Sequence, residues 1–166
     1  MAQKTENKTA QRTCPECEGA MVMRNYKHTE DVGKWRVTDG TGRVWQCSKC
    51  GEPELSLRML AGYQRRAAAI VLREANPIDG SVTRYARKAL GLRQTDLAGL
   101  LGYAPETLSR WETGDAEMPR TAQLALIAIL DGVELCGGDV DTFVERERSD
   151  RRSAREFEVP EQRRTA

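Results

Sequence analysis

Apolar residues recur along the chain with two different spacings, which separate a strand-forming region from a helix-forming region. Between residues 14 and 54, short apolar runs predict strands at 21–23, 35–37 and 44–46. Gly33, Asp39-Gly40 and Gly42 are turn candidates, and Asp39-Gly40 predicts a hairpin turn between the last two strands. From residue 55 onward the apolar positions follow helical spacing, and Gly and Pro residues interrupt them. This pattern predicts helices at 55–75, 81–90, 94–101, 105–113 and 120–130.

Charge and composition narrow the function classes only slightly. The net charge of +1 argues against a strongly basic nucleic-acid coat, and residues 80–138 hold six basic and seven acidic side chains. Any DNA contact must therefore come from a local patch of charge. No apolar run reaches the roughly 20 residues needed to span a bilayer, and the N-terminus has no apolar signal region. We therefore expect a cytoplasmic protein without membrane contact.

Two CxxC pairs predict a metal site. Their cysteines are Cys14, Cys17, Cys47 and Cys50, and residues 18–46 separate the pairs. Each CxxC turn places two sulfurs at the spacing of two tetrahedral zinc positions, so the two pairs complete one site. Because four thiolates leave no open coordination position, we expect one structural Zn²⁺ and no catalytic zinc. The single histidine, His28, is interpreted as a surface loop residue.

Two short helices joined by a glycine turn predict a helix-turn-helix. In the first helix, 94–101, the small Ala98 allows close approach of a neighbouring helix. Gly102 makes the turn, and Pro105 stands in the first turn of the second helix, where its missing N–H does no harm. Leu108 and Trp111 of the second helix are spaced to face the core. Its other side chains remain available to the major groove of DNA.

This pattern resembles the helix-turn-helix of the phage repressors, in which Gln-Thr, Leu-Ala, a Gly turn and Ser-Arg-aromatic-Glu-x-Gly follow in one order. The matching residues are Gln94, Thr95, Leu97, Ala98, Gly102, Ser109, Arg110, Trp111, Glu112 and Gly114. Leu97 and Ala98 stand one position closer to Gln94 than the family spacing. Carried over residue by residue, the resemblance implies DNA binding by Gln94, Thr95, Glu106, Thr107 and Arg110.

The chemistry of these side chains is compatible with base reading. Gln94 can pair bidentately with adenine and Arg110 with guanine, while Thr107 suits a thymine methyl group or a phosphate. Glu106 can accept from cytosine N4, but a carboxylate in another setting repels phosphate. Thr95, together with Arg93 and Lys88, is better placed for phosphate contacts.

The two halves together resemble the MqsA (YgiT-type zinc finger) antitoxins. The residues that carry this match outside the helix-turn-helix are Cys14, Pro15, Cys17, Gly19, Met21, Val44, Cys47, Cys50, Gly51 and Glu52. The resemblance covers roughly residues 14–134. It implies a bacterial type II antitoxin that binds a ribonuclease toxin through its zinc domain. It also implies a homodimer that binds double-stranded DNA at a palindromic operator in its own promoter. Glu106 stands where the family has Asn, so the operator should differ.

The predicted fold class is α+β: a four-cysteine zinc-bound β module, a linker helix and an all-α, lambda-repressor-like helix-turn-helix domain. The predicted domains are a disordered N-terminus at 1–13, the zinc domain at 14–54, the linker helix at 55–79, the helix-turn-helix domain at 80–134 and a charged C-terminal tail at 135–166. The tail is predicted to be either a solvated helix or disordered. The last helix of the helix-turn-helix domain is apolar on more than one side, which fits core packing and also a dimer interface.

Three functional hypotheses follow from these features. The leading one is a DNA-binding repressor that is also an antitoxin. The alternative is a transcription cofactor similar to the multiprotein-bridging proteins, which join a zinc ribbon to a similar helix-turn-helix and act mainly through protein contacts. The near-balanced charge of residues 80–138 and Glu106 favour this alternative. An enzyme is not expected, because no set of His, carboxylate and nucleophile converges on an open site.

Overall fold

A long β-hairpin forms the first part of the structure. The computed structural model describes residues 12–75 and 77–152. Strand β1 (Met21–Val32) pairs antiparallel with β2 (Trp35–Cys47), and the short β3 (Pro53–Glu54) pairs with the other edge of β2. The chain turns between β1 and β2 at Gly33, whose φ of +60° is one that glycine adopts without strain. The predicted turn at Asp39-Gly40 is therefore wrong.

Asp39-Gly40 forms part of a β-bulge inside β2. Two residues, Gly40 and Thr41, oppose the single Lys27 of β1. The Asp39 carboxylate accepts hydrogen bonds from the Thr41 N–H at 2.8 Å and the Thr41 hydroxyl at 2.6 Å, and one from Arg66 Nε at 2.7 Å. Asp39 is thus tied to a helix distant in sequence, and this contact holds the segment in the strand.

Six helices lie in the part of the chain that the structure describes. They are α1 (Leu57–Glu74), α2 (Gly80–Ala89), α3 (Gln94–Leu101), α4 (Pro105–Thr113), α5 (Arg120–Leu135) and α6 (Val140–Arg152). The bounds of α3 and α4 are those predicted, whereas α5 runs five residues further. For residues 140–152 the helical alternative for the tail is confirmed. The rest of the tail, and residues 1–11 of the predicted disordered N-terminus, lie outside the described residues.

Helix α1 packs into the helical core against α2 and α5. Ala68 and Leu72 of α1 are fully buried there. The buried Gln123 of α5 donates from Nε2 to the carbonyl oxygens of Leu72 at 2.5 Å and Ala75 at 2.9 Å. These carbonyls lie at the end of α1 and have no partner within the helix, so Gln123 satisfies them. The division into domains with a linker at 55–79 remains a prediction, while α1 shares a core with the helices that follow.

The tip of the hairpin also packs into this core. Val32 is fully buried among the helices, and the Tyr85 hydroxyl of α2 donates to Glu30 Oε2 at 3.0 Å. Glu30 also bonds His28 Nε2 at 2.8 Å, and the His28 ring stacks on Tyr63 of α1 at a centroid distance of 4.6 Å. His28 is therefore a half-buried strand residue, so its interpretation as a surface loop residue is wrong. The hairpin joins the cysteine end of the molecule to the helical end.

Within the described residues, no individual helix combines the length and apolar character that a membrane crossing requires. Helix α5 taken together with residues 140–146 reaches that length and composition, but the two helices meet at a bend of 111°. The apolar side chains Leu126 and Leu130 of α5 are buried in the helical core.

Candidate metal centre and nucleic-acid interface

The four cysteines of the two CxxC pairs come together beside the sheet. Their sulfurs all lie within 4.8 Å of one another. Cys14 Sγ lies 3.7 Å from Cys50 Sγ, and Cys17 Sγ lies 3.5 Å from Cys47 Sγ. Four ligands at about 2.3 Å from one tetrahedral zinc ion lie about 3.8 Å apart. The four predicted ligands thus form a site that can hold one metal ion.

Both cysteine pairs fold into the same backbone turn. In the first, the Glu18 N–H donates to the Cys14 carbonyl at 2.9 Å, and in the second the Gly51 N–H donates to the Cys47 carbonyl at 3.0 Å. The residue after each pair has a positive φ, 57° at Glu18 and 79° at Gly51. The repeated turn presents two sulfurs from each side, as a four-thiolate site requires.

Backbone N–H groups point toward one of the sulfurs. The Cys50 N–H lies 3.5 Å and the Lys49 N–H 3.3 Å from Cys47 Sγ. These hydrogen bonds, that of Cys50 first, lower the pKa of Cys47 to about 6, which favours the metal-binding thiolate. Gly19 leaves room for the cluster, because a Cβ there would lie 2.9 Å from Cys47 Sγ and 3.3 Å from Cys17 Sγ.

The predicted helix-turn-helix is formed by α3 and α4. The turn begins at Gly102, with a φ of 78°, and its N–H donates to the Ala98 carbonyl. Leu97 of α3 and Leu108 of α4 are fully buried, and Trp111 is 4% exposed. The predicted glycine turn and the predicted core-facing positions of Leu108 and Trp111 are therefore confirmed, and the outer face of α4 is left to solvent.

A buried carboxylate, Glu112, holds the helices around this motif. The Glu112 side chain is 1% exposed and accepts hydrogen bonds from Arg87 Nε at 2.6 Å, Arg87 Nη2 at 3.0 Å and Gln94 Nε2 at 2.9 Å. Burial by itself raises the pKa of Glu112, but the bonds from Arg87 and Gln94 bring it below its ordinary value. Glu112 is thus ionised at neutral pH and ties α2 and α3 to α4.

The predicted DNA-binding residues differ in how available they are. Thr95, Glu106 and Arg110 are exposed, and Thr107 is half-buried. Within the described residues, the Arg110 guanidinium makes no hydrogen bond or ion pair with another side chain. Gln94 is half-buried, and one of its amide N–H groups is occupied by Glu112. The part that each residue plays in DNA binding stays a prediction.

The residues predicted to contact phosphate also differ in how available their side chains are. Lys88 is exposed at the end of α2. Arg93 is 81% exposed, but its Nε and Nη2 donate to the Asp96 carboxylate at 2.8 and 3.0 Å. This exposed ion pair is of the weak kind, so the Arg93 guanidinium can exchange Asp96 for a phosphate at small cost.

Three residues were given no structural role in the sequence analysis: Arg87, Glu112 and Gly80. Arg87 was not mentioned, and Glu112 was named only as one of the residues that match the phage-repressor pattern. A signal was present, because Glu112 stands four residues after Leu108 and so on the buried face of α4. Gly80 was also overlooked: a Cβ there would lie 2.6 Å from the Glu112 carbonyl oxygen, so only glycine allows α2 to begin so close to the end of α4.

Comparison with known proteins identifies the helical part. No curated protein matches the chain in sequence. Residues 84–137, about one third of the chain, match the family model of the helix-turn-helix. The matched range contains α3, the glycine turn and α4, and it confirms the predicted phage-repressor-like motif. The chain therefore carries a helix-turn-helix domain of the DNA-binding, transcription-regulating kind, preceded by a three-stranded sheet with four clustered cysteines.

Proposed function

We propose that the protein is a sequence-specific transcriptional repressor that reads operator DNA with α4 and the start of α3. The observation that carries this proposal is that α4 is packed against the protein on one face while its opposite face is exposed to solvent. Glu112 and Trp111 anchor α4 from behind, whereas Glu106 and Arg110 on the same helix are exposed. A helix held in this way presents its side chains to base edges without a cost for ordering its backbone.

Replacing Arg110 with alanine tests the recognition surface. We expect Arg110→Ala to weaken operator binding by about 1–3 kcal/mol and to relax base preference at one position of each half-site. Selection of bound sequences from a random DNA pool measures both effects. The matched control is Lys27→Ala, which removes one charge from the exposed hairpin and should leave the selected sequence unchanged. An unaltered selected sequence with Arg110→Ala would assign base reading to other residues, and failure of the wild type to select any sequence would favour the cofactor alternative.

We propose further that two copies form the DNA-binding unit, since palindromic half-sites match a two-fold dimer. A groove of about 470 Å³ lies between α1 and α5, and the apolar side chains Ile70 and Leu135 are part of its lining. Ile70 is 40% exposed and Leu135 is 89% exposed. The rim carries the ion pair of Arg73 and Asp131, with an oxygen 2.6 Å from Arg73 Nη2. A rim with both charge signs can complement its own two-fold copy.

A charged substitution in this groove tests the dimer. We expect Ile70→Glu to weaken self-association at least about tenfold, because it would bury an unpaired carboxylate between the copies. Sedimentation equilibrium measures the association constant. The matched control is Leu57→Glu, since Leu57 lies on the same helix, is 85% exposed and does not line the groove. A monomeric wild-type protein would contradict the dimer, and equal association of both variants would show that its interface is not this groove.

We propose that the metal is zinc and that its role is structural. Four thiolates in a reducing compartment are the donor set that favours zinc, and they leave no position for a substrate or water. In this proposal Cys14, Cys17, Cys47 and Cys50 each supply one sulfur. The ion fixes the two CxxC turns and the end of the hairpin to which they are attached.

We propose, last, that the metal module binds a partner protein, a ribonuclease toxin, which would make the repressor an antitoxin. On the side away from β2, strand β1 has no further strand partner among the described residues, although at its start the Met21 N–H donates to the Arg12 carbonyl at 2.9 Å. Val22 and Met23, just after this contact, are 37% and 38% exposed. The edge beyond Met21, together with these apolar side chains, suits the addition of a strand from a partner. Co-purification with the product of a neighbouring ribonuclease-like gene tests this, and failure of the two proteins to associate would contradict it.

A further inference from the structure

A second cleft lies away from both the cysteine cluster and the helix-turn-helix. It has a volume of about 300 Å³ and lies between α1, the bulged part of β2 and the α5–α6 turn. Its charged lining comes mainly from three arginines of α1, Arg58, Arg65 and Arg66, with Tyr63 beside them. We call it the arginine cleft.

The Tyr63 hydroxyl is the first indication of a ligand. Tyr63 is 2% exposed, and its hydroxyl is the one buried side-chain polar atom among the described residues without a hydrogen-bond partner. Burial, followed by the nearby Asp39 charge, raises the pKa of Tyr63, so the group stays a protonated donor. Gly42, which lies against the hydroxyl, also lines the cleft. Buried donors normally have an acceptor, and this one lacks an acceptor from the protein.

The arginines supply the second indication. The Arg65 side chain is 5% exposed, and its Nε donates to Glu134 at 2.7 Å. Arg66 Nε donates to Asp39 at 2.7 Å, and its guanidinium lies 4.9 Å from the centre of the Tyr63 ring. Arg58 donates from Nη2 to the Gly137 carbonyl. Each guanidinium has five N–H donors, so these contacts leave most of the donors unused.

Positive side chains outnumber negative ones in the lining of the cleft. Three guanidinium groups and one carboxylate, that of Glu134, line it, while Asp39 pairs with Arg66 and Asp139 acts on Arg58 from outside the lining. A cleft lined mainly by one sign of charge attracts ions of the opposite sign. The guanidinium fork matches the oxygens of phosphate in two-point hydrogen bonds, and a buried hydroxyl can donate to a third oxygen.

We propose that the arginine cleft binds the phosphate group of a small phosphorylated molecule, with the Tyr63 hydroxyl and the free donors of Arg58 and Arg65 as its ligands. The cleft is larger than a bare phosphate requires and lies at the lower limit of small-molecule sites. Such a ligand contacts the hairpin, α1 and the α5–α6 turn together. It would stabilise their packing, and with it the link between the metal module and the helix-turn-helix. This inference does not depend on the identity of the operator or of a protein partner.

Titration of the full-length protein tests the proposal. The probes are inorganic phosphate and adenosine 5′-monophosphate. Calorimetry and thermal melting measure their binding, and sodium chloride keeps the ionic strength constant. We expect saturable binding and a raised Tm with one or both probes. Tighter binding of the nucleotide would identify a phosphate monoester as the ligand, and equal binding would identify phosphate alone. Absence of saturable binding by both probes in the millimolar range, or equally tight binding of acetate, would overturn the proposal.

Two variants separate binding from folding. Tyr63→Phe should lower the affinity about fivefold to tenfold, while the Tm without ligand stays unchanged or rises, because a partnerless hydroxyl is removed. Arg58→Gln should weaken binding by a similar factor. The control, Arg36→Gln, removes an exposed arginine of the hairpin outside the cleft and should bind as the wild type does. Wild-type affinity in both Tyr63→Phe and Arg58→Gln would overturn the assignment.

Discussion

Removal of the metal is expected to unfold the cysteine end of the hairpin and to lower the Tm of the helices as well. Metal binding to a structural four-cysteine site contributes of order 10 kcal/mol to folding, which is comparable to the whole net stability of a small domain. The effect should reach the helices because Val32, at the other end of the hairpin, is fully buried in their core. Circular dichroism melting curves with and without a chelator measure both changes.

A pair of cysteine variants provides the control for chelation. Cys47→Ser removes one of the four clustered sulfurs and should reproduce the chelated state. Cys136→Ser changes a half-buried cysteine outside the cluster and should retain the metal and the wild-type Tm. An unchanged melting curve after metal analysis has confirmed complete removal would contradict the structural role of the site.

Replacement of Glu112 with alanine is expected to cost about 3–5 kcal/mol of the free energy of unfolding. This is the cost of removing one partner from a buried ion pair, since the Arg87 guanidinium, only 14% exposed, would lose its counter-charge. Gln94 would lose its hydrogen bond in the same variant. Urea unfolding measures the loss. Because α4 depends on this contact, operator binding should fall together with stability.

Glu106→Ala is the matched control, since Glu106 is an exposed glutamate on the same helix and its replacement should change the free energy of unfolding by about 0.5 kcal/mol or less.

The pKa of Glu112 lies below its ordinary value of 4.5, so its stabilising effect is complete above pH 4.5 and is lost as the pH falls through the lowered pKa. The variant Glu112→Gln should lack this part of the acid transition. A loss below about 1 kcal/mol for Glu112→Ala would show that the buried carboxylate does not hold the motif.

Local sequence signals were sufficient to predict the helix-turn-helix and the metal ligands. The bounds of α3 and α4 follow from Gly102 and Pro105, because a left-handed glycine ends one helix and a proline suits the first turn of the next. The four metal ligands were predictable because each CxxC pair sets the spacing of two sulfurs through residues that are adjacent in the chain. In each case the decisive residues are neighbours in the chain.

Contacts between distant residues were not predictable in this way. Asp39-Gly40 reads as a hairpin turn, yet the Asp39 carboxylate binds Arg66, 27 positions away, and the segment forms a bulge. The role of His28 depends likewise on Tyr63 of another element. Periodicity shows which face of a segment is buried but does not identify the element against which it packs. For this reason the place of α1 in the core also emerged only from the structure.

The central claim is that α3 and α4 bind operator DNA in a sequence-specific manner, and equilibrium binding to the DNA upstream of the protein's own gene tests it most directly. The account predicts binding at least about a thousandfold tighter than to an unrelated duplex of the same length. It also predicts that log Kd rises steeply with log salt concentration, as release of counterions from phosphates requires. Equal affinity for the upstream and the unrelated duplex at every salt concentration would contradict it.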